Sequence, residues 1–139
     1  MNQVYISDLI FKVMITKNMN IKITIVLLWI TMLFNMLFAD IFSIMVEIVE
    51  GGVVDIPGDV KTIMAIAAVV TNIPVLMIIL TWVLPYKINR IANIIAAVFT
   101  IIYIIGGMAA LPHYYIIAFI EIILLLVITF KVVKWKNEV

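Results

Sequence analysis

The sequence predicts an all-α membrane protein: a four-transmembrane-helix antiparallel bundle preceded by an N-terminal interfacial amphipathic helix. Three observations predict it. Hydrophobic residues make up 67% of the 139-residue chain and charged residues only 12%, against about 45–50% and about 25% in soluble domains. The apolar residues gather into four runs of membrane-spanning length. The basic residues fall on alternate sides of those runs. Lys12, Lys17, Lys22, Lys87, Arg90, Lys131, Lys134 and Lys136 share one side; Lys61, alone of the nine, falls on the other, among Glu47, Glu50, Asp55 and Asp59. Basic residues mark the cytoplasmic face. Both termini are therefore expected in the cytoplasm, at a cell inner (plasma) membrane, with the acidic loop outside.

Residues 1–20 are too polar to span. Wound as a helix, they put Ser7, Asp8, Lys12 and Thr16 on one face and Tyr5, Ile6, Leu9, Ile10, Val13 and Met14 on the other, the pattern of a helix lying in the membrane interface. Asp8 interrupts the stretch and no short apolar core precedes a small-x-small site, which argues against a cleaved signal peptide. The transmembrane domain is expected over 21–136, with spans at about 23–48, 60–84, 89–107 and 112–131. The first ends at Glu50-Gly51-Gly52, and Asp59 is placed as N-cap of the second. Pro85 stops the second span. Tyr86–Arg90 reads as a short basic turn, which makes spans two and three antiparallel neighbours. Gly106-Gly107 closes the third, and Pro112 suits the first turn of the fourth. Trp29, Trp82, Tyr86 and Trp135 fall near the cytoplasmic ends, where an aromatic belt is expected.

Composition excludes several chemistries. The chain has no Cys and one His, so disulfide exchange, thiolate nucleophiles, Cys-ligated zinc, iron–sulfur clusters and His-rich metal sites are not expected. A net charge of +1 offers nothing to nucleic acid. There is no phosphate loop, nucleophile elbow or H-E-x-x-H motif. No cofactor is expected. The expected partners are the lipid bilayer and, because so small a bundle encloses little volume, a homodimer or larger membrane complex.

Polar residues inside the spans are the functional candidates. At 1.5 Å per residue, Asp40 lies roughly 15 Å below Glu50, Glu121 about 14 Å past Pro112, and Tyr103 slightly shallower. Asn35 and Asn72 lie about 20 Å down. An outer layer of Asp40, Tyr103 and Glu121 thus stands above a middle layer of Asn35 and Asn72, with no Lys or Arg at either depth. Carboxylates in hydrocarbon are costly unless they face the bundle or a wet cavity. Low dielectric and mutual repulsion then imply a shared proton or a bound cation. The competing reading is interhelical hydrogen-bonding glue, worth about 0.6 kcal/mol per group; it is favoured for Asn35 and Asn72. His113, in the outer turn, reads most simply as a solvated loop residue, with capping or pairing to an outer-layer acid as the alternative. Asn93, Ala96, Ala97, Thr100, Tyr103 and Gly107 form a small or polar stripe on span three, most simply a close-packing face. Pro74 removes a hydrogen bond to the carbonyl of Val70 beside Asn72, so a kink is expected there.

Leu28-Trp29-Ile30, Met32 to Ile41, Asn72-Ile73-Pro74, Tyr86 to Arg90 with Ala92-Asn93-Ile94, Gly106-Gly107, and Pro112-His113-Tyr114 through Glu121 resemble a bacterial family of small four-span proteins of unknown function, similar in outline to DoxX-like membrane proteins. The resemblance covers about residues 22–135. It implies the fold and the membrane location, and it supplies no activity. Three functional classes remain. A binding or transport-like module for a proton, cation or small polar ligand leads. An accessory or structural subunit follows, and a membrane redox enzyme subunit acting on lipid or quinone comes last, because nothing else of an active site accompanies the two acids.

Overall fold

The computed structural model describes residues 3–50, 59–107 and 111–136. It comprises four helices, α1 (Gln3–Glu50), α2 (Val60–Val83), α3 (Tyr86–Gly106) and α4 (Pro112–Lys134), with no strand among the described residues. Each helix is long and apolar enough to cross a membrane. The fold class expected from composition is the one found.

The N-terminal segment is helical from Gln3, but no break separates it from the first span: α1 runs unbroken for 48 residues, about 72 Å at 1.5 Å per residue. Neither Pro nor Gly occurs between Gln3 and Glu50, so nothing interrupts the hydrogen-bond ladder. The boundary expected near residue 20 is a change in surroundings and not in backbone. Leu9, Ile10, Phe11 and Val13 are exposed beyond the bundle. A groove of about 510 Å³, carrying Lys12, Lys17 and Lys131, links this extension to the end of α4.

Asp59 caps α2 as expected, accepting from the Thr62 amide at 3.2 Å and the Thr62 hydroxyl at 2.6 Å. Those bonds, the hydroxyl's foremost, hold its carboxyl below the ordinary 3.8. Pro112 occupies the first turn of α4, where a missing N–H costs nothing. The link between α2 and α3 is a correction. Tyr86–Arg90 is not a turn but the first turn of α3, capped by Pro85, and only Leu84-Pro85 joins the two helices. Proline cannot continue α2 yet ideally precedes a new helix, so the reversal needs two residues. This places Asn89 and Arg90 on a helix.

The helices form a ring. α1 packs on α2 and α4, and α3 packs on the same two, while the diagonal pairs do not approach at the backbone. The core runs from Ile25, Trp29 and Met32 on α1 through Met77, Ala96 and Ala97 to Leu125, Ile128 and Val132 on α4. Ala96, Ala97 and Thr100 are all buried, so the small stripe of α3 is a packing face.

The end bearing Lys22, Arg90 and Lys134 is locked by hydrogen bonds. Lys22 Nζ donates to the carbonyls of Trp82 and Leu84, both at 3.1 Å. Arg90 donates to those of Val132 at 3.0 Å and Val133 at 3.1 Å, and to the Tyr86 hydroxyl at 3.0 Å. Tyr86 donates in turn to the Trp135 carbonyl at 2.6 Å, its ring edge-on to that indole. Basic groups therefore satisfy the last carbonyls of α2 and α4, where the helix dipole favours positive charge. Trp29 and Trp135 are also a correction. They are 0% and 3% exposed, core residues and not part of an aromatic belt; Trp82 keeps an exposed ring.

Candidate proton or cation site

Two polar layers bridge the α1/α3 diagonal. The inner one is closed. Trp29 Nε1 donates to Asn93 Oδ1 at 2.7 Å; Asn93 Nδ2 donates to Asn89 Oδ1 at 2.6 Å and to the Thr81 hydroxyl at 3.2 Å. Asn89 Nδ2 donates to the Thr81 carbonyl at 2.6 Å. Trp29, Thr81, Asn89 and Asn93 are all 0% exposed. Donors and acceptors match, so this layer is the interhelical glue of the bundle. Sequence reading assigned that role to Asn35 and Asn72. The missed signal was Asn89 with Asn93, four apart and so on one helix face, behind the small stripe.

The outer layer is open. Glu121 is 4% exposed, and its Oε1 has no hydrogen-bond partner. The charge acting on it is Asp40, across the α1–α4 contact. The same Asp40 charge reaches Tyr103 on α3 and Tyr114 on α4, and Glu121 and Tyr103 both act on Tyr114. Asp40 on α1 thus lies within electrostatic range of Tyr103 on α3 and of Tyr114 and Glu121 on α4. Asp40 is the exposed member and Glu121 the buried one, with Tyr103 and Tyr114 half-buried around them. Tyr114 was not among the candidates. Its position seven residues before Glu121, on the same helix face, is the signal that finds it. Its hydroxyl sits over Gly107, where an added Cβ would lie 3.7 Å away.

His113 is adjacent and pairs differently from expectation. Its Nε2 lies 3.2 Å from the Ser43 hydroxyl, not on an acid, and its ring stands edge-on to Phe42. Ser43 follows Asp40 by three residues, so this contact ties α4 to α1 one turn above the acid. Beside it runs a largely apolar groove of about 490 Å³ lined by Phe42, Met45, Val46, Val49, Glu50 and His113. The middle-layer candidates do not join. Asn35 is half-buried and, five residues before Asp40, points about 140° away around the helix. Asn72 is exposed on the outside of α2, with Nδ2 donating to the Ala68 carbonyl at 2.8 Å within its own helix.

Four long apolar helices around one buried and one partly exposed polar layer define a small four-helix protein of membrane type. The chain belongs to DUF6326, a family of unknown function whose model matches residues 11–139. The match takes in Phe11 to Asn20, which the resemblance noted above left outside, so the extension of α1 is part of the family's pattern. No curated protein and no solved structure matches the chain.

Proposed function

We propose that the protein is a multi-pass protein of a bacterial inner membrane with both termini cytoplasmic, and that its outer layer binds a proton or small monovalent cation as a binding or transport-like module. The observation that carries the reading is Glu121: a carboxyl in the bundle interior with one oxygen unpartnered and a second acid as its electrostatic neighbour. Such a pair is incomplete without positive charge. Asp40, exposed, is the entry ligand; Glu121, buried, is the terminal one. Tyr103 and Tyr114 add phenolic oxygens and ring faces, which suit a monovalent cation. Among the described residues no three His, Cys, Asp or Glu side chains converge, a donor set too sparse for a transition metal.

Orientation is tested in this Cys-free chain with single cysteines. Lys61→Cys is expected to react with an impermeant maleimide added outside intact cells, and Ile88→Cys only after lysis. Reversed labelling refutes the topology. Binding is tested on detergent-purified protein in weakly buffered solution with a pH-indicator dye, challenged with sodium and separately with tetramethylammonium. Proton release on addition of either cation is expected, together with its loss in Glu121→Gln and Asp40→Asn. If neither cation releases a proton and the infrared carboxyl band responds to neither, the reading fails.

A further inference from the structure

The outward face of α2 carries a single amide midway along an apolar line. The helix buries one stripe, Val70, Pro74, Met77 and Thr81, against its neighbours. On the opposite side stand Thr62, Ala65, Val69, Asn72, Leu76, Ile79 and Val83, every one exposed. Their spacings alternate between three and four, the 3.5-residue seam along which two helices supercoil. Any face of a helix keeps this spacing, and Lys61, Met64, Ile66, Ala68 and Trp82 are exposed as well, so what singles out this line is its polar content. Apart from Thr62 at its outer end, the seam carries one polar side chain, Asn72.

We propose that this seam is the interface of a parallel homodimer about a two-fold axis along the membrane normal, centred on an Asn72–Asn72 pair. All copies insert in one orientation, so Asn72 meets its mate at the same depth and in the same register. An amide is self-complementary, with a carbonyl acceptor and two donors. One Nδ2 hydrogen is tied to Ala68 within the helix, and the other with Oδ1 remains for reciprocal bonds to the mate. Lipid tails offer neither, so a lipid-facing Asn72 is left short of partners, whereas a paired one specifies register as a single seam Asn does in a coiled coil. Ala65 keeps the helices close near the outer end. There Asp59 and Lys61 stand on opposite flanks of the seam. A two-fold mate therefore sets Lys61 on the flank that carries the partner copy's anion, within the roughly 10 Å screening length at 0.1 M salt. A different protein on this face has no need of an amide that matches itself.

Single cysteines at Ala65, Val69, Leu76 and Ile79 are expected to crosslink copy to copy in native membranes with a homobifunctional maleimide. Ile95→Cys on α3 and Ile123→Cys on α4, equally lipid-exposed, are expected not to. In fluorescence-transfer dilution of the purified protein, Asn72→Leu is expected to weaken dimerisation roughly fivefold, while Asn72→Gln retains most of it. Asn72 is exposed and bonds within its own helix, so both variants are expected to fold, which circular dichroism checks. Crosslinking as strong at Ile95 and Ile123 as on the seam, crosslinks that form only when the Ala65→Cys and Ile79→Cys chains are mixed (an antiparallel pair), a monomer at all protein-to-lipid ratios, or an Asn72→Leu variant that pairs like the parent each overturns the proposal.

Discussion

Replacing Glu121 with methionine is expected to stabilise the bundle by about 1–3 kcal/mol while abolishing cation-linked proton release. Methionine matches the length of the glutamate chain and fills the same space without a charged group. What it removes is a carboxyl that is 4% exposed with Oε1 unpaired. A buried polar group without a partner costs more than it contributes, and exchanging it for an apolar group of like shape is neutral or favourable. Natural sequences keep such a group where function requires it. The opposite outcome is equally readable. If Glu121→Met loses 1 kcal/mol or more in equilibrium unfolding by SDS in mixed micelles, Glu121 is packing glue and the binding site is abandoned. Asp40→Asn, at an exposed position, is expected to leave stability within about 0.5 kcal/mol and still abolish proton release. That separation of stability from binding is the mark of a site.

Asn93→Ala is expected to destabilise the protein by about 4 kcal/mol, the sum of a small cavity and of two or three orphaned groups at about 1–3 kcal/mol each. Asn93 is the hub of the closed inner layer. Without it the Trp29 indole N–H loses its 2.7 Å acceptor, Asn89 Oδ1 its 2.6 Å donor and the Thr81 hydroxyl its side-chain partner, all at fully buried positions. Asn72→Ala, the same change on the outer face of α2, is expected to leave the stability of a single chain within about 0.5 kcal/mol. Unfolding in mixed micelles at a dilution that excludes dimers compares the two directly. Equal losses would mean that the inner network is no stronger than a lipid-facing amide, and the packing account of α3 would fall.

The contrast between Asn93 and Asn72 shows where sequence reading reaches and where it stops. Asn35 and Asn72 stood out because each is an isolated amide in an apolar run. Asn89 hid in a stretch that looked like a turn, because Lys87 and Arg90 make it appear polar, and Asn93 was read only as part of a small close-packing stripe. Only the structure shows Pro85 starting a helix there, with Arg90 turned to the end of α4. Trp29 was misread for a related reason. Its position along the axis suits an interfacial belt, but its partner Asn93 lies across the diagonal, 64 residues away in sequence.

The sequence by itself determined the number of helices long enough to span, the cap at Asp59, the break at Pro85 and the level of each polar residue along its helix. Each of these depends on one coordinate, distance along a helix axis, and the fixed rise of about 1.5 Å per residue makes that coordinate a matter of counting. It was enough to bring Asp40, Tyr103 and Glu121 to one level. The tertiary structure alone decided rotation about the axes: that Asn93 faces inward and Asn72 outward, that Glu121 is buried while Asp40 keeps an open edge, and that Tyr114 joins them while His113 turns to Ser43. In helices apolar on every side no amphipathic stripe points to the core. Rotation is then set by which side chains interlock with those of neighbouring helices, a property of pairs of helices that no single helix carries in its own sequence.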